Sequence, residues 1–127
     1  MALVMTLLVR LFRRSGEIAQ FRARFDPEGL VPIEPDERRV LLSSGRCFAC
    51  GLCDRGEGAR RAASGGEYPG LMALVLASTR RLDDLGAAAV GFRHVPAQVL
   101  TEKEALCPAR VPIGNLARLV RRHASAA

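Results

Sequence analysis

The chain is 127 residues long, carries a formal net charge of +6 and holds 18 arginines against a single lysine. That length fits one small domain, and with 49% hydrophobic residues but no tryptophan and one tyrosine the core has to be mostly Leu, Val and Ala. Paired catalytic carboxylates, an activated serine and a phosphate loop are all missing, and the arginines lack the aromatic interleaving of a nucleic-acid surface, so the charge points elsewhere.

Residues 1–25 form the first segment. Met1 to Phe12 contains only two polar residues, Thr6 and Arg10. A helix of that length rises about 18 Å, well short of the roughly 30 Å hydrocarbon core, so it does not span a membrane. Its arginines follow the apolar stretch instead of preceding it, which does not suit a signal peptide. Continued to Phe25, helical spacing puts Thr6, Arg10, Arg13, Glu17, Gln20 and Arg24 on one face. Leu3, Val4, Leu7, Leu11, Ile18, Phe21 and Phe25 fall opposite, with Arg14 as a misfit. Such an amphipathic helix is expected to pack on its own domain or a partner subunit, with the inner face of the cytoplasmic membrane as the other surface it suits.

Residues 26–35 hold three prolines spaced by acidic groups and read as an extended strap. Residues 36–127 are expected to form a single all-α domain. Pro35 opens a helix over Asp36 to about Leu42, and Ser43-Ser44-Gly45 ends it. A short basic piece lies between Gly56-Glu57-Gly58 and Ser64-Gly65-Gly66 and reads as a helical turn. Pro69 introduces an apolar helix from Leu71 to about Leu82, and a second apolar segment runs from Asp83 to Phe92, interrupted by Gly86 and Gly91. Thr101-Glu102-Lys103-Glu104 has the form of a capping box that starts a short helix. Pro112 starts the last helix, with Ile113, Leu116, Leu119 and Val120 inward and Arg118, Arg121, Arg122 and His123 on the exposed side. His94 reads as a satisfied or solvated histidine, and Arg60-Arg61 and Arg80-Arg81 read as solvated faces or subunit contacts.

The four cysteines carry the chemistry. Cys47, Cys50 and Cys53 have C-x2-C-x2-C spacing, and Cys107 stands alone before Pro108. Thiolate sulfur is soft, and four thiolates saturate a cubane of iron and sulfide, one per iron. Gly51 suits a loop whose backbone passes close to the inorganic sulfurs. In two-cluster proteins the run C-x2-C-x2-C-x3-C-P occurs twice, and the fourth cysteine of each run serves the other cluster. Laid on this chain, that template asks for a ligand at 57 and finds Glu57. It asks for cysteines at 97, 100 and 103 and finds Ala97, Leu100 and Lys103. The four missing residues all belong to one cluster and the four retained ones to the other. The pattern reads as a two-cluster scaffold reduced to one [4Fe-4S] site with Cys47, Cys50, Cys53 and Cys107 as ligands.

At these residues, Cys47, Cys50, Gly51, Cys53, Cys107, Pro108 and the tail Val111-Pro112-Ile113, the chain resembles the α-helical ferredoxin domain. That domain occurs in the iron–sulfur subunits of succinate dehydrogenase and fumarate reductase, in an iron–sulfur subunit of heterodisulfide reductase, and in glycolate and lactate oxidation complexes. The likeness covers roughly Pro35 to His123. It implies a compact set of helices holding a cluster between two loops. It also implies a non-catalytic electron-transfer subunit of an oxidoreductase complex whose partners are a flavoprotein dehydrogenase, a further iron–sulfur subunit or a membrane quinone or haem subunit. The absent second cluster is a departure from the family pattern, and a single cluster can relay electrons only between partners that both approach it.

Two other classes fit parts of the sequence. A structural zinc site would make the chain a stapled interaction module, although zinc favours two Cys pairs or Cys and His mixtures. A cluster-based sensor would use the arginines on nucleic acid. Arg46 and Arg55, beside the cysteine loop, offset the charge of a thiolate cluster or simply face solvent.

Overall fold

The computed structural model describes Ala19, Gln20, Ala23, residues 33–80 and residues 85–124. The chain divides into two compact units, Met1–Val31 and Pro32–Ala127. In the first, Ala19, Gln20 and Ala23 are helical and exposed. The rest of the amphipathic helix predicted over 1–25, and the strap up to Pro32, lie outside the described residues.

The second unit contains six helices and a 3-10 turn, with no strand among the described residues. The helices are α1 (Pro35–Ser44), α2 (Gly58–Ala63), α3 (Leu71–Arg80), α4 (Leu85–Arg93), α5 (Ala97–Ala105) and α6 (Ile113–Ala124), with the 3-10 turn at Leu52–Asp54. The all-α expectation therefore holds for this unit. Pro35 occupies the start of α1, where its missing N–H costs nothing. A capping box closes that end: the Glu34 N–H donates to Glu37 Oε2 at 3.0 Å, and the Glu37 N–H donates to the Glu34 carboxylate.

The core gathers around α6. Ile113, Leu116, Ala117, Leu119 and Val120 are all buried, and they meet Leu71, Leu74 and Val75 of α3 and Ala88, Ala89 and Phe92 of α4. Each of the larger side chains contributes roughly 1.5–3 kcal/mol by leaving water. Tyr68, the only tyrosine, is fully buried, so the interior is less purely aliphatic than the composition suggests. Gly91 has a packing reason. A methyl group there would fall 2.5 Å from Leu74 Cδ2 and 3.3 Å from the Glu67 carbonyl, so glycine lets α3 and α4 approach.

Two expectations are corrected. The box at Thr101–Glu104 does not start a helix: α5 begins four residues earlier, at Ala97, and the Thr101 hydroxyl donates to the Ala97 carbonyl. Glu104 instead accepts the Gly114 N–H at 3.0 Å and caps α6. His123 is not on the exposed side. It is buried, with Nε2 2.9 Å from Glu37 Oε1, and it fastens α6 to α1 together with Arg122, 2.7 Å from the same oxygen.

Candidate metal centre

Two stretches of backbone carry the four thiols. The first leaves α1 at Gly45 and runs through Cys47, Cys50 and Cys53 into the 3-10 turn. The Cys47 N–H donates to the Ser44 carbonyl and the Asp54 N–H to the Gly51 carbonyl, which curls the loop. Gly51 has φ of 74°, the left-handed conformation that glycine adopts without cost. Asp54 anchors the end of the loop, since its Oδ1 accepts the Met72 N–H at 3.1 Å at the start of α3. The second stretch is α5, which ends just before Cys107, followed by the turn to α6.

Cys47, Cys50, Cys53 and Cys107 all line one small recess, walled otherwise by apolar groups such as Met72 and Ala109. Cys47, Cys53 and Cys107 are partly buried and Cys50 is exposed. The structure thus brings together the four residues that the spacing selected, although Cys107 is 54 positions beyond Cys53 in the chain. They surround the recess without closing on one point: among the described residues, no three of His, Cys, Asp or Glu converge as a single metal ion requires.

Backbone strain concentrates on the same two stretches. Among the described residues, the non-glycine residues with positive φ are Ala49 (59°), before Cys50, and Arg110 (50°), three residues after Cys107. Each costs on the order of 1–2 kcal/mol, and such cost is tolerated where geometry serves function. Past the turn at Arg110, the Val111 N–H donates to Cys107 Sγ at 3.5 Å. Burial pushes the Cys53 thiol up to about 11, the Asp54 carboxylate adds to this, and Cys47 and Cys107 act in the same direction. A soft metal centre would have to displace such protons, so its binding would be coupled to pH. Arg46, Arg55 and Arg110 are not buried. His94 lies elsewhere, with Nε2 2.8 Å from Glu67 Oε2.

A second, ionic centre escaped the sequence reading. Glu57 is only 3% exposed. Its Oε2 accepts bonds from Arg60 Nε at 2.7 Å and the Tyr68 hydroxyl at 3.0 Å, and its Oε1 lies 3.2 Å from Lys103 Nζ. Burial alone would raise the carboxyl, but the bonds from Arg60, Lys103 and Tyr68 outweigh it and hold Glu57 below the ordinary carboxylate range. The Tyr68 hydroxyl is pushed up by burial and by that carboxylate. Arg60 is accordingly no solvated surface charge: it also donates to the His94 carbonyl at 3.3 Å. Arg61, its neighbour, pairs with Asp54 at 3.4 Å. The one signal in the sequence was Glu57 itself, an acid at a template position, three residues ahead of an arginine.

No described helix is long and apolar enough to cross a membrane. No protein-family model, curated protein or solved structure matches this chain.

Proposed function

We propose that the chain is an electron-transfer subunit of a multi-subunit oxidoreductase, holding one [4Fe-4S] cluster on Cys47, Cys50, Cys53 and Cys107. The observation that carries this reading is the convergence of four cysteines, from two separate stretches of backbone, on the wall of one recess. The donor set fits the group, with four soft thiols for four irons and no position left open for a substrate. When bound, such a cluster supplies a one-electron couple.

The protein's own residues would set the conditions of that exchange. The apolar wall with Met72 and Ala109 keeps solvent off the inner side, and Val111 contributes an amide hydrogen bond to a ligand sulfur, one of the factors that tune cluster potential. Phe48 and Leu106, each next to a cysteine, are 64% and 58% exposed. Large apolar side chains in such places suit a face covered by a partner, and a short transfer path needs that partner here. Arg46, Arg55 and Arg110 give the face a positive rim, which favours an acidic redox partner such as a flavoprotein, a further iron–sulfur subunit or a membrane quinone or haem subunit.

Metal analysis of anaerobically purified protein tests the reading. Iron and acid-labile sulfide in equal amounts support it. Zinc without sulfide would make the chain a metal-stapled interaction module, and cluster-dependent binding to DNA would make it a sensor.

A further inference from the structure

Positions 57, 97, 100 and 103 are the places where the two-run template would put the ligands of a second cluster. Position 57 is far from the other three in sequence, and the fold brings the two charged residues into contact: Lys103 Nζ lies 3.2 Å from Glu57 Oε1. The segment 97–103 is regular helix instead of a cysteine loop, with Leu100 buried in the core and Lys103 one turn further on.

The contact joins the two cysteine-bearing stretches. Glu57 lies four residues after Cys53, and Lys103 four residues before Cys107. Lys103 Nζ also donates to the Arg55 carbonyl, so one ammonium holds two points of the first stretch. Both side chains are shielded, at 3% exposure for Glu57 and 12% for Lys103. Lys103 is the only lysine beside 18 arginines. A compact ammonium with three rotatable donors can meet oxygens arriving from different directions, whereas a flat guanidinium fork matches a single carboxylate edge. Arg60 and Tyr68 saturate the far oxygen of Glu57 and hold the carboxylate in place.

We propose that the Lys103–Glu57 bridge is a positioning site for the thiol set: it joins the two stretches where a second cluster would have joined them, and so fixes Cys107 in register with Cys47, Cys50 and Cys53. Neither residue lines the recess, so both act through the backbone they hold. The metal-bound side of this proposal rests on the functional reading above, but the register of the thiols does not.

The test begins with the full chain, reduced and free of metal, treated with a short bis-maleimide, and the links of Cys107 to the Cys47–Cys53 loop mapped by mass spectrometry. Lys103→Met is expected to lower the yield of those links several-fold while each thiol still reacts with a mono-maleimide and helicity is retained. Leu100→Ala, which weakens the packing of the same helix, is expected to lower the melting temperature and keep the links. Glu57→Gln serves as the second variant if Lys103→Met does not fold. In anaerobically loaded protein, Lys103→Met is expected to turn over to a three-iron paramagnetic signal on mild oxidation faster than wild type. Links at the wild-type level in both bridge variants, or an equal loss in Leu100→Ala, would overturn the proposal. If the wild-type chain takes up no iron and sulfide, the functional reading falls while the cross-linking comparison still decides the bridge.

Discussion

The thiol recess and the Glu57–Lys103 centre lie on the same two stretches of backbone and are built from opposite chemistry. The recess has soft, partly buried sulfur, an exposed rim and two strained residues, Ala49 and Arg110. The ionic centre has a hard carboxylate with Arg60, Tyr68 and Lys103 around it, and no non-glycine residue with positive φ lies between Arg55 and Tyr68. A buried carboxylate is tolerable only when its partners are all in place, so that end is self-sufficient. At the thiol end, one amide bond among the described residues, from Val111, reaches a sulfur, so the thiols have little protein partnership of their own. One end of a shared frame is closed by protein alone, and at the other four thiols line a recess, which is where we propose the cluster binds.

Substitutions at the thiol end should have the largest effect. Cys53→Ser or Cys107→Ser is expected to abolish intact cluster binding while leaving most of the helicity, because these cysteines are only partly buried and pack against the α3, α4 and α6 core without forming part of it. Iron content and circular dichroism measured on one sample check this. At the ionic end, Glu57→Leu leaves the Lys103 and Arg60 charges without their carboxylate and is expected to cost about 3–5 kcal/mol in denaturant unfolding. A cost below about 1 kcal/mol would show that the two ends do not differ as described.

Acid should distinguish the ends as well. Glu57 and Glu37 are both held below the ordinary carboxylate value of 4.5, so their contribution is fully present above that pH. It is lost as the pH falls through their lower folded values, because the unfolded chain then binds more protons than the native one. Native stability should therefore drop below about pH 4.5, and Glu37→Gln with Glu57→Gln should flatten that slope in urea unfolding at stepped pH. The smallest effect is expected at the rim. Phe48→Ser and Leu106→Ser should change stability by no more than about 0.5 kcal/mol, since both side chains are mostly in water, and should leave iron content intact.

Local chemistry made part of this legible in the sequence. Pro35 and Pro112 mark the starts of α1 and α6 because proline is pre-set for a first helical turn, and the inward face of α6 follows from its spacing. That the four cysteines belong together was legible because their spacing is that of a single thiolate set, and the structure does put all four around one recess. What was missed depended on distant partners. His123 falls on the inward stripe by spacing, three residues after Val120 and seven after Leu116, but its polar ring read as an outward group, and it is Glu37, 86 positions away, that makes its burial tolerable. Thr101 and Glu104 have the form of a capping box, but α5 has already begun after Pro96, where backbone geometry takes precedence over that local signal. Glu57 and Lys103 read as losses from a template and proved to be each other's partner.

Electron paramagnetic resonance of the anaerobically purified full chain, before and after dithionite and again after reoxidation, tests the central claim most directly. With about four irons and four sulfides per chain, a silent oxidised state, one unpaired spin on reduction and full reversal are expected. A chain that holds zinc, or iron that gives no reversible one-electron signal, would contradict it.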